Sequence, residues 1–125
     1  ADRVILWTHA RFPGSDDRVG LRWEVAEDAA FTRLVASGQA TATREAGHTV
    51  KVDASGLAAG REYHYRFSHG STRSPVGRTR TLPATASELS LAVMSCTNYP
   101  AGFFNVYAEV ARSDAQFAIH LGDYI

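Results

Sequence analysis

Apolar and polar residues alternate through the first two thirds of the chain, and then the alternation stops. Arg3–Thr8 has strand character. Across Val19–Glu27 the alternation is regular, with Leu21, Trp23 and Val25 on one face and Arg22, Glu24 and Glu27 largely on the other. A period of two is that of a half-buried β-strand. Pro13-Gly14-Ser15-Asp16-Asp17 reads as the loop between these segments. Arg33–Gln39, His48–Val52, Glu62–His69 and Val76–Thr81 are further predicted strands. No helical period occurs before Pro83.

Two local signals sharpen this all-β reading. In Leu57-Ala58-Ala59-Gly60-Arg61-Glu62-Tyr63, an apolar residue precedes a turn closed by Gly60, and Tyr63 opens the next strand. That spacing matches a tyrosine corner, in which the ring fills the core edge and the hydroxyl ties back to upstream backbone. Trp23 sits at an inward position of an early strand, where a large ring spans two sheets. Tyr63, Tyr65 and Phe67 are read as core-facing. Residues 1–83 are therefore predicted to form a β-sandwich of the fibronectin type III/immunoglobulin-like kind.

Residues 84–88 read as a linker, and after it the pattern changes. Leu89–Ser95 is a near-continuous apolar run, as expected of a strand buried on both faces. Phe103–Arg112 is predicted helical from Phe104, Val106, Tyr107, Val110 and Ala111. Ala115–Leu121 is a second apolar strand. Residues 89–125 thus read as a β-α-β unit with parallel strands. About 40 residues cannot cover both faces of such a sheet, so this segment is expected to be part of a larger α/β domain.

Composition narrows the function classes. The 125 residues are 45% hydrophobic, enough for a core, and 13 basic residues balance 13 acidic ones. Zero net charge argues against nucleic acid as the main partner, because binding phosphate backbones needs a basic excess. No apolar run approaches the roughly 20 residues of a membrane span. No leader is read at Ala1-Asp2-Arg3, and a removed leader would leave the same start. Cys96 is the single cysteine, so no internal disulfide can form.

Candidate chemistry gathers where the two late strands end. Ligands of open parallel sheets bind beyond the carboxyl ends of the strands. Here those ends carry Ser95-Cys96-Thr97-Asn98 and His120-Leu121-Gly122-Asp123-Tyr124. On neighbouring strands, Cys96 and Asp123 would emerge side by side, and a thiolate with a carboxylate suits a transition metal. Cys96 as a small buried hydrophobe and Asp123 as a turn cap stay open beside that reading. A phosphate-attacking cysteine is disfavoured. The usual arginine position six residues on is Gly102, and Pro100 removes one loop N–H. His120 is either a satisfied core histidine or a partner of a metal ligand. His9, His48, His64 and His69 read as solvated strand faces without ligand spacing.

These residues resemble a known family. Ser95-Cys96-Thr97-Asn98-Tyr99, Gly102-Phe103-Phe104 and His120-Leu121-Gly122-Asp123-Tyr124-Ile125 look like the opening of the PhoD-like alkaline phosphatase catalytic domain. Asp2–Thr8, Gly56-Leu57 with Gly60–Phe67, and Ser74–Pro83 resemble that family's N-terminal sandwich. The resemblance implies a periplasmic or secreted enzyme that hydrolyses phosphomonoesters, and often phosphodiesters, with iron and calcium. It implies that Cys96 and Asp123 are metal ligands, with Asp123 bridging both ions. A family tyrosine ligand falls one residue beyond Ile125. The chain is therefore expected to be an N-terminal part of such an enzyme, silent in catalysis by itself. The competing reading is a non-catalytic sandwich used as a binding or spacer module, in which Cys96 and Asp123 would point apart or into packing.

Overall fold

The computed structural model describes residues 2–11 and 17–124. Most of the predicted first loop, Pro13–Asp16, lies outside the described residues. The chain divides into two compact units, Ala1–Ala84 and Thr85–Ile125.

In the first unit, β1 (Arg3–His9) pairs antiparallel with β4 (Thr49–Ser55). A larger antiparallel sheet runs β3 (Leu34–Thr43), β2 (Arg18–Ala26), β5 (Glu62–His69). The far edge of β5 is shared by the short β6 (Thr72–Arg73), which the sequence pattern did not signal, and β7 (Gly77–Arg80). Leu6, Val50, Val52 and Ala54 of the small sheet share one core with Val19, Leu21, Val25, Ala42, Tyr63 and Phe67 of the large one. This is the expected sandwich: two sheets held face to face by their alternate inward side chains.

Packing inside it follows from residue size. The positions of β3 that face Val19, Leu21, Trp23 and Val25 in register are Ala42, Ala40, Gly38 and Ala36. A Cβ on Gly38 would lie 2.8 Å from the Trp23 indole. Trp23 therefore lies across its neighbouring strand, half-buried, where the alternation predicted a ring spanning the two sheets. The tyrosine corner is formed: Tyr63 is buried, and its Oη accepts the Ala58 N–H at 2.9 Å.

Two of the strand histidines depart from the solvated reading. His48 is 8% exposed, and no described group bonds its Nδ1. It lies at the end of the β3–β4 turn in a left-handed conformation (φ 56°), where its N–H bonds Thr43 O and its C=O takes the Ala10 N–H. Those two bonds fix the backbone so that the ring turns inward. His64 is half-buried with Nδ1 likewise enclosed.

In the second unit, β8 (Leu91–Met94) and β9 (Phe117–His120) pair in parallel, Leu91 opposite Phe117 and Met94 opposite His120. Between them come a 3-10 turn, Tyr99–Ala101, and α1, Asn105–Arg112. The helix starts after Phe104, whose left-handed backbone (φ 55°) ends the preceding turn, so Phe103 lies outside it. The apolar run expected to be covered on both faces is open: Leu91 is 49%, Val93 57% and Ile119 42% exposed. One eight-residue helix, which buries none of its own side chains, supplies no second layer.

Candidate metal centre

The parallel ladder does not stop where the strands do. Leu121 N–H bonds Met94 O at 2.8 Å, Cys96 N–H bonds Gly122 O at 3.0 Å, and Thr97 N–H bonds Asp123 O. These rungs carry the two chain segments past the sheet edge side by side. There both turn through the left-handed region, with φ 61° at Cys96, 122° at Gly122 and 54° at Asp123. Non-glycine residues enter that region at a cost of about 1–3 kcal/mol each, and such strain gathers at functional sites. Asp tolerates it better than most residues and Gly122 tolerates it freely.

The result is that the two side chains face each other, both exposed, with Cys96 Sγ 3.7 Å from Asp123 Oδ2. Two ligands at about 2.3 Å (sulfur) and 2.1 Å (oxygen) from one tetrahedral ion would stand about 3.6 Å apart. The pair therefore fits two positions around a common cation. Among the described residues no third His, Cys, Asp or Glu joins them, so no group of three or more such side chains that could hold a metal ion is formed.

His120 bonds neither candidate ligand directly. Its Nε2 stands 3.0 Å from Thr97 Oγ1, and its Nδ1 accepts the Gly122 N–H at 3.2 Å. Thr97 and Gly122 are the chain neighbours of Cys96 and Asp123. The ring stacks on Tyr107 of α1, with centroids 6.4 Å apart, and meets Tyr124 edge-on at 5.1 Å. Thr97 Oγ1 also bonds Tyr107 Oη. The residue pattern pointed to neither Thr97 nor Tyr107; a polar residue directly after a candidate ligand was the available signal for the first.

The family profile described as "PhoD-like phosphatase, N-terminal domain" matches residues 1–83, and that described as "PhoD-like phosphatase" matches residues 91–125. The chain belongs to the PhoD-like phosphatase family. Among PhoD-like relatives, alkaline phosphatase D of Bacillus subtilis (strain 168) is 37% identical over 134 aligned positions, which take in 100% of this chain and 23% of that protein. A solved structure described as "Structure of PhoD" superposes with a TM-score of 0.90 at 38% identity, covering 99% of this chain and 26% of that one. This chain thus spans about a quarter of the length of the PhoD-like proteins it matches. The second profile match takes in β8, α1 and β9 together with Cys96 and Asp123.

Proposed function

We propose that this chain contributes the N-terminal sandwich and the first metal-binding edge of a metal-dependent phosphatase that hydrolyses phosphomonoesters and phosphodiesters outside the cytoplasm. The observation that carries the reading is the 3.7 Å approach of Cys96 Sγ and Asp123 Oδ2 at the carboxyl ends of two parallel strands. The spacer-module reading needs these side chains to point apart or into packing, whereas they face each other and are exposed. The family match supplies the phosphate ester as the substrate class.

Cys96 would offer a thiolate, whose charge donation suits iron, and Asp123 would offer hard carboxylate oxygens, which suit iron or calcium. When bound, the ions would supply positive charge for phosphoryl oxygens and a lowered pKa for water. The protein's own part is to bring sulfur and carboxylate together at the carboxyl ends of two paired strands. Two donors do not hold a metal pair, so the 125 residues by themselves are expected to turn over no p-nitrophenyl phosphate with iron and calcium supplied. Among the described residues no helix is long and apolar enough to cross a membrane.

The test uses the full-length parent. Cys96→Ala and Asp123→Asn should each strip iron, measured by elemental analysis of the purified protein, and abolish phosphate release. Normal iron content in both variants would overturn the reading.

A further inference from the structure

The Thr97–His120 pair answers a question that the metal reading leaves open: what holds two exposed, strained turns in one geometry. Among the described residues of the second unit, Thr97 is the one buried side chain, at 9% exposure. A buried hydroxyl is costly unless hydrogen-bonded, and this one is bonded on two sides.

Proton positions follow from the donors. The Gly122 N–H can only donate, so His120 Nδ1 must accept and carry no hydrogen. The neutral ring then keeps its hydrogen on Nε2, which donates to Thr97 Oγ1. The Thr97–Tyr107 bond closes the chain and can use either hydroxyl proton. Tyr107 is in turn held by the edge of Phe104, with centroids 5.4 Å apart. A continuous path therefore runs from α1 through Thr97, beside Cys96, and through the His120 ring to Gly122, beside Asp123.

We propose that Thr97, His120 and Tyr107 are positioning residues for the Cys96–Asp123 centre, joining the two ligand-bearing turns through a His120 ring fixed as its Nε2–H tautomer. This rests on the metal reading given above. A path of this kind holds the ligands before any ion arrives, so binding does not have to order them. Groups that orient metal ligands typically change affinity by about 10–100-fold when removed.

Two measurements test it. In the 15N-labelled 125-residue chain without metal, long-range nitrogen–proton correlation should show His120 protonated on Nε2. Thr97→Val, which keeps shape and deletes the hydroxyl that takes the Nε2 hydrogen, should move the Nε2 and Nε2–H signals of His120, while the Gly122 N–H keeps Nδ1 free of hydrogen. An Nδ1-protonated or averaged ring in the unaltered chain, or no change in Thr97→Val, overturns the proposal. In the full-length protein, cobalt(II) affinity read from the thiolate charge-transfer band should fall about 10–100-fold for Thr97→Val. Tyr107→Phe, which keeps the stacked ring, should weaken it in the same direction, and Thr97→Ser should restore it. If Cys96→Ala loses cobalt while Thr97→Val and Tyr107→Phe bind normally, the positioning role falls and the metal reading stands. If Cys96→Ala keeps cobalt, both fall.

Discussion

Glu24 shows how far a single side chain departs from what its place in a pattern says. Alternation puts it on the outer face of β2, where solvent is expected, yet it is 9% exposed. The loop after β2 folds over it. Asp28 accepts the N–H groups of Ala30, Thr32 and Arg33 and bends that loop, and Phe31 caps the face with the Arg66 guanidinium 4.0 Å from its ring centroid. Arg66 Nε donates to Glu24 at 2.7 Å and Arg22 Nε at 3.2 Å. The bond from Arg66 holds the carboxyl below its ordinary value of 4.5, against the opposing effect of burial, with the charges of Arg66 and Arg22 adding to it. A carboxyl with a lowered folded pKa stabilises fully above its unfolded value, and that contribution is lost as pH falls through the folded one. Glu24→Gln is therefore expected to cost about 3 kcal/mol near neutrality, because Arg66 stays enclosed without its partner. The variant should also lose less stability than the parent sequence as pH falls from neutrality to below about 4.5. Urea midpoints at neutral pH and below the ordinary carboxyl range check both, and an unchanged acid slope would remove Glu24 from the account. The sequence pattern revealed the face of Glu24 and hid its burial, because the cover comes from a loop whose path depends on Asp28. His48 departs from an expected solvated face for a similar reason: a left-handed turn residue has no place in a two-residue period.

At the scale of elements, the tyrosine corner was legible because its parts lie within a few residues of one another, from Leu57 to Tyr63. Its anchor from the far end of the sandwich was not. Thr81 is fully enclosed; its hydroxyl donates to Ala58 O at 2.7 Å and accepts the Arg61 N–H at 3.0 Å. It thereby ties the residue after β7 to the turn that Tyr63 closes. Tyr63→Phe removes one hydrogen bond and should cost about 1 kcal/mol. Thr81→Val leaves two part-buried backbone groups without this partner and should cost more, about 2 kcal/mol in sum. Equal unfolding midpoints for the two variants would contradict this ordering. Gly77 was equally hidden, because its role arises across strands: it stands opposite Tyr65, and a Cβ there would fall 2.3 Å from the ring. Gly77→Ala should destabilise by about 1–3 kcal/mol through overpacking. Gly20→Ala meets nothing within 4 Å and should be close to neutral.

At the scale of the whole chain, the two units differ in how much they bury, and their stability should differ accordingly. Among the described residues the buried hydrophobic core lies within the first unit, whereas Leu91, Val93, Val106, Ile119 and Leu121 of the second are exposed. Apolar periodicity showed that β8 and β9 are strands, and the rule for open parallel sheets pointed to Cys96 and Asp123 at their ends. It also led to burial on both faces, which requires further layers that these residues do not form. An apolar side chain left in water forgoes about 1.5–3 kcal/mol relative to full burial. Backbone bonds in such a place open by local fluctuation, without global unfolding. Amide hydrogens of Val93, Met94 and Ile119 should therefore exchange with solvent orders of magnitude faster than those of Trp23, Val25 and Phe67. The same open face should drive association, since exposed contiguous apolar surface is rarely left free. Light scattering of the 125-residue chain should show mass rising with concentration, and Val93→Lys should reduce the rise while leaving the first unit's unfolding midpoint unchanged. A monodisperse monomer at high concentration would mean that the face is protected after all. Slow exchange at Val93 and Ile119 would then locate that protection in the sheet itself.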